Sequence, residues 1–149
     1  MLFLAWQKTC VKNCGIGVKN GVNKLNYILV IIGGGTGSLL RYASTQWINT
    51  LFSGKFTLGT FFVNCVGSLL IGFLVHLFDL LSLDGKWKVL AVTGFLGGYT
   101  TYSAYSYETM NYLMNGNIKY AIINIAIHNI VCLLLVLAGI WISRLVFVK

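Results

Sequence analysis

Thr60, Asn64, Ser68, Gly72 and His76 follow one another at four-residue spacing within an uncharged apolar stretch. Residues at i and i+4 share a helical face, so on a helix these five form a polar stripe. Asn124, His128 and Cys132 repeat the spacing further on, with Asn129 beside them. A third concentration is GFLGGYTTYSAYSYE, Gly94 to Glu108, with three glycines, paired threonines, four tyrosines and a terminal carboxylate. Amide, hydroxyl and phenol groups donate hydrogen bonds without carrying charge. Aromatic rings present a positive edge. A lining of neutral donors and ring edges with a fixed cation, Arg41, suits a small anion, whereas a cation path would call for mid-span carboxylates. Glu108 is the one candidate carboxylate, and it sits late in its stretch. Small and polar residues also join helices by close packing, and the pairs Gly33/Gly37 and Gly67/Gly72 fit that role alone.

The elements that would hold these groups lie in lipid. The chain of 149 residues is 57% hydrophobic and 9% charged, with a mean hydropathy of +0.79, against about 25% charged in a soluble domain. That leaves too little charge to cover a soluble core. Four apolar stretches stand out: about Leu25–Phe52 interrupted by Arg41, Thr57 to about Phe78, a third that begins after Lys88 and stays uncharged to Glu108, and Tyr120–Ser143. Each reaches or approaches the roughly 20 residues that cross a bilayer core, and a crossing segment must satisfy its own backbone, which predicts helices. The expected fold is therefore an all-α integral membrane protein of four transmembrane helices. No proline occurs, so a helix break must come from glycine, serine or threonine.

The net charge of +8 lies in the gaps between apolar runs, not along one helix face, which argues against nucleic acid as a partner. Residues 1–24 read as a basic, cytoplasmic N-terminal tail and residues 25–149 as a membrane domain. A signal peptide would place charge before a longer apolar core, the reverse of this order. Four spans put Lys8, Lys12, Lys19, Lys24, Lys86, Lys88, Arg144 and Lys149 on one side, against Lys55, Lys119 and Arg41. The positive-inside rule then places both termini in the cytoplasm. Cys10 and Cys14 form a CxxxC without further ligands, and Cys65 and Cys132 fall in apolar runs, so all four read as structural or incidental. No nucleophile triad, zinc-protease, Walker or Rossmann pattern is present, which points away from an enzyme.

GGGTGSLLRY (Gly33–Tyr42), GTFFVNCVGSLLIG (Gly59–Gly72) and GFLGGYTTYSAYSYE occur in that order, one per span. Together they resemble the CrcB/Fluc family of fluoride channels, over about residues 23–146. The resemblance implies a cell (inner) membrane protein, multi-pass, working as an antiparallel, dual-topology-type dimer. Two narrow fluoride pores would run along the subunit interface. The third helix would be broken, with a structural sodium ion on the dimer axis held by the backbone carbonyls of Gly97 and Thr100. Asn64 is similar to the family's pore-lining asparagine, Arg41 to its vestibule arginine, and Tyr102 and Tyr105 to its two ring-edge phenylalanines. Thr101, Ser103 and Glu108 fall on a polar track beside them; Thr60, Ser68 and His128 join the lining from the polar faces. Where the family reads TTFSTF this chain reads TTYSAY, and Asn124 and His128 stand where it often has Tyr and Ser. An inverted homodimer needs weak charge bias, and the bias here is clear, so the expected partner is an oppositely biased homologue, with a homodimer as the alternative. The function implied is passive fluoride efflux. Competing readings are a small proton-coupled multidrug-type exporter and a non-conducting partner subunit.

Overall fold

The computed structural model describes residues 24–52 and 57–147. The tail before Lys24, with Cys10 and Cys14, and also Lys55 and Lys149, lie outside the described residues. Among the described residues every regular element is helical, with no strand. Helix α1 spans Lys24–Leu51 and α2 spans Leu58–Leu80. A single turn, α3, Gly85–Lys88, runs into a π-helical stretch, Val89–Leu96, and then a last turn, α4, Gly97–Tyr99. Two extended residues separate it from α5, Tyr102–Met114, and α6 spans Ile118–Phe147.

Helices α2 and α6 are long and apolar enough to cross a membrane, with mean hydropathies of 2.1 and 2.5. Most large apolar side chains of α6 point outward, Leu133, Leu134, Leu137 and Trp141 among them, while on α2 most are half-buried and Ile71, Val75 and Leu80 are exposed. An apolar exterior on this scale is stable only against lipid or another apolar surface. Helix α1 has the length, 28 residues, but carries Arg41 and a polar second half with Ser44, Thr45, Gln46 and Asn49. The third expected span is divided at Thr100–Thr101 and continues past Glu108 to Met114.

Close backbone approach fixes the packing. A Cβ built on Gly37 would stand 2.1 Å from the Phe95 carbonyl oxygen, and one on Gly33 2.5 Å from that of Leu90. A Cβ on Gly72 would stand 2.1 Å from the Val136 carbonyl oxygen. Without side chains at these points, α1 lies directly on the π-helical stretch and α2 on α6, which is the packing role expected of small residues in lipid. The contacts also give direction. Gly33 meets Leu90 and Gly94 while Gly37 meets Phe95 and Tyr99, so α1 and the third element run the same way. Gly72 meets Val136 and His76 meets Ser143, so α2 and α6 also run parallel. Gly59 at the start of α2 bonds Asn49 near the end of α1, so those two are antiparallel. Lys24, Lys86, Lys88 and Arg144 consequently gather at one end and Lys119 at the other. At the first end, Lys88 pairs with Asp79.

The turn from α5 to α6 is closed by a left-handed residue. Gly116 has φ +72°, its N–H donates to Leu113 O at 3.0 Å, and Asn117 N–H donates to Tyr112 O at 2.8 Å. This is the glycine-terminated helix end that satisfies the last carbonyls.

Candidate functional site

The site is built around the break. Thr100 (φ −86°, ψ 159°) and Thr101 (φ −151°, ψ 115°) are extended. Two glycines precede them, and threonine hydroxyls compete with helical backbone bonds. Thr100 Oγ1 donates to Leu96 O at 3.0 Å, and Thr101 Oγ1 caps α5 by accepting Ala104 N–H at 3.2 Å. A break in lipid frees backbone groups that must find other partners. Asn64 supplies two of these. Its Oδ1 accepts Thr101 N–H at 2.8 Å, and its Nδ2 donates to Thr101 O at 3.0 Å. The side-chain amide thus stands in for a peptide group. Arg41 Nη1 donates to Thr100 O at 3.2 Å, and Ser38 Oγ reaches Gly98 O at 3.5 Å.

Beside the break lies a groove of about 410 Å³. Ile71, Val92, Leu96 and Leu133 form apolar wall, while Asn64, Ser68, Thr101, Tyr102, Tyr105 and His128 bring polar and aromatic groups. Gly67, Gly97, Thr100, Asn129 and Cys132 complete it. The rings form a chain: Tyr102–Tyr105 centroids are 5.2 Å apart, Tyr105–His128 4.6 Å, and Phe61 meets His128 edge-on at 5.2 Å and 72°. Tyr102 is 78% exposed, whereas Tyr105 is buried with its hydroxyl accepting Asn129 Nδ2–H at 3.4 Å.

Not every expected residue joins this groove. Thr60 Oγ1 donates to Glu108 Oε1 at 2.5 Å, a pair set apart from the groove lining. Ser103 sits on the exposed first turn of α5, its hydroxyl 3.1 Å from that of Thr101. Arg41 reaches the break itself. The four-residue stripe of α2 also divides. Each step of four advances about 40° around an α-helix, so five residues sweep about 160°. Asn64 and Ser68 therefore face the groove, while Gly72 and His76 face α6, where His76 Nδ1 lies 3.1 Å from Ser143 Oγ and Nε2 accepts from Arg144 Nε at 3.4 Å. On α6, Asn124 is buried and donates to Thr109 Oγ1 at 2.9 Å. Sequence reading does not identify Asn129 in the groove wall, Phe61 against His128 or Ser38 at the break. Asn129 could be found as the neighbour of His128, but Ser38 and Phe61 leave no signal, since their partners lie 60 and 67 residues away.

The two carbonyls expected to hold sodium lie at the break. A continuous helix would send Thr101 N–H to Gly97 O; here that N–H goes to Asn64. Thr100 O accepts Arg41 and keeps a second lone pair. Neutral carbonyl oxygens are the ligands a hard cation takes, and here Gly97 is exposed and Thr100 half-buried.

The family model for "CrcB-like protein, Camphor Resistance (CrcB)" matches residues 28–140. The chain belongs to the CrcB family. Among relatives of this CrcB chain, the "Fluoride-specific ion channel FluC" of Campylobacter fetus subsp. fetus is 40% identical over 116 residues, covering 77% of this chain and 91% of the relative. The protein of that name from Sulfurihydrogenibium sp. is 37% identical over 120 residues, 80% of this chain and 97% of its own. That from Coxiella burnetii (strain CbuK_Q154) is 37% identical over 125 residues, 82% and 97%. The match takes in the whole of the break and the groove.

Proposed function

We propose that this CrcB-family chain is a subunit of a fluoride channel that lowers cytoplasmic fluoride by passive efflux. The observation that carries the reading is the groove at the break, where Asn64, Thr101 and Tyr105 meet within one apolar-walled space. Such a lining can replace part of an anion's hydration shell with neutral donors while still allowing release. The relatives' shared name supports fluoride as that anion.

In this reading α1, α2, the broken third element and α6 are four spans in the cell (inner) membrane. Lys24, Lys86, Lys88 and Arg144 gather at the end that faces the cytoplasm, together with both termini, as positive charge favours. The groove lacks an outer wall and leaves Tyr102 78% exposed, which supports completion by a second subunit in the opposite orientation. The charge bias favours an oppositely biased homologue over a second copy. A structural sodium ion on the axis would be held by Gly97 and Thr100 carbonyls, supplying fixed positive charge near the anion path; Arg41 and Asn64 hold the backbone that presents them.

The test is fluoride efflux from vesicles containing the purified chain, alone and with an oppositely biased homologue. Rapid fluoride efflux without chloride efflux supports the reading. Proton-dependent uptake of organic cations, or no transport in either pairing, overturns it. Robust efflux by the chain alone, with both orientations found by cysteine labelling, would overturn the heterodimer. The tyrosines give a milder prediction. Tyr105→Phe keeps the ring and removes one long neutral hydrogen bond, worth about 1 kcal/mol. Efflux by Tyr102→Phe and Tyr105→Phe should therefore stay within roughly threefold to tenfold of the parent chain; complete loss would show that the hydroxyls, not the ring edges, are essential.

A further inference from the structure

His128 is buried, at 6% exposure, in the wall of the groove. Its Nδ1 lies 3.1 Å from Asn124 O. A carbonyl oxygen only accepts, so Nδ1 carries the hydrogen. In the neutral ring this leaves Nε2 as a bare lone pair, and Nε2 is buried without a hydrogen-bond partner. Phe61 meets the ring edge-on at 5.2 Å, and Tyr105 packs against it, tilted, at 4.6 Å. A buried acceptor with no donor is costly and asks for a ligand that brings a hydrogen.

We propose that His128 is the proton site of this groove: Nε2 takes up a proton and, as an imidazolium, donates it in a hydrogen bond to the anion. The proposal rests on the fluoride reading and adds protonation to it. Hydrogen fluoride entering the groove gives its proton to the Nε2 lone pair; the H–F bond breaks, the N–H bond forms, and fluoride stays on that N–H. Hydronium and fluoride arriving separately reach the same state with release of water. When fluoride leaves alone, the proton returns to water. Burial opposes a lone imidazolium and a lone anion alike, so each stabilises the other there, and the coupling is reciprocal. The Tyr105 ring adds a face to which the cation is attracted.

The other titratable groups around it are few. On α5 they are Tyr102 and Tyr105 in the groove and Glu108, bonded to Thr60. On α6 there is Cys132 in the groove, with Arg144 at the far end beside His76. On α2 there are Cys65, His76 and Asp79, the last paired with Lys88. From α1, Arg41 is turned to Thr100 O. The chain has two histidines, which makes the assignment separable.

The experiment measures fluoride efflux from vesicles containing the channel at about pH 8 and about pH 6, after subtracting protein-free leak. The flux is expected to rise at least about fivefold at the lower pH, across the histidine range. His76→Gln should keep that ratio, and His128→Gln should reduce it to within about twofold of unity. Independently of any variant, fluoride added at constant pH to nitrogen-15 histidine-labelled protein should move one ring's Nε2 signal towards the imidazolium position. Flux that is equal at both pH values, a ratio that His128→Gln preserves, or a ring signal unmoved by fluoride overturns the proposal and leaves the channel standing. Absence of fluoride flux at every pH overturns both.

Discussion

Asn64→Asp is expected to reduce fluoride efflux to the leak of protein-free vesicles. Aspartate has nearly the shape of asparagine and can still accept Thr101 N–H, the 2.8 Å bond. It cannot, when ionised, return the bond to Thr101 O, because a carboxylate has no donor. Its second oxygen would then face that carbonyl at the 3.0 Å now spanned by Nδ2. It also places a negative charge in the wall of a groove that must admit an anion. Two like charges about 4 Å apart repel by about 4 kcal/mol at an effective dielectric of 20, which corresponds to roughly a thousandfold loss of anion occupancy.

Asn64→Ala separates the two roles of the amide. It introduces no charge but leaves Thr101 N–H and C=O without their partner. Each unsatisfied backbone group costs roughly 1–3 kcal/mol, so the alanine variant should unfold earlier in detergent than the parent chain. Efflux should fall less in the alanine variant than in the aspartate variant. If Asn64→Asp conducted as well as the parent chain, the anion would not pass this residue, and the groove would not be the path.

The apolar helices were legible because lipid imposes one requirement on every residue: either be apolar or have a partner. The runs ending near Phe52, Phe78 and Ser143 therefore foretold α1, α2 and α6 within a few residues. The break was expected from the resemblance to the CrcB/Fluc family; the residues alone said only that, in a proline-free chain, any break must come from glycine, serine or threonine. What supports the break was not legible. Asn64 and Thr101 are 37 residues apart, and Arg41 and Thr100 are 59 apart; spacing along one helix carries no record of a bond to another. The stripe on α2 misled for a simpler reason. A four-residue repeat drifts around the helix, so Asn64 and His76 share a pattern but not a neighbour. His128 lay within the sequence reading as a lining residue, yet its tautomer follows only from the Asn124 carbonyl, and the unpartnered Nε2 follows only from packing.

Gly37→Ala should destabilise the protein by about 3 kcal/mol, whereas Gly35→Ala should stabilise it by up to about 1 kcal/mol. Both replace glycine by the best helix former in the same helix, so intrinsic propensity favours both by the same amount. They differ in what the added methyl meets. At Gly35 there is nothing within 4 Å; at Gly37 the Phe95 carbonyl oxygen stands at 2.1 Å and Tyr99 N at 3.0 Å. Backbone cannot rotate aside as a flexible side chain can, so α1 and the π-helical stretch must move apart. That shift acts directly on the site, because Tyr99 precedes Thr100, and Arg41 lies one helical turn beyond Gly37 on the same helix. The 3.2 Å bond from Arg41 to Thr100 O would lengthen, and the backbone presented at the break would lose its support. Thermal unfolding in detergent, followed by tryptophan fluorescence, should therefore shift in opposite directions for the two variants, with efflux lost in Gly37→Ala. Equal shifts would mean that the close contact between α1 and the third element is not what holds the break in place.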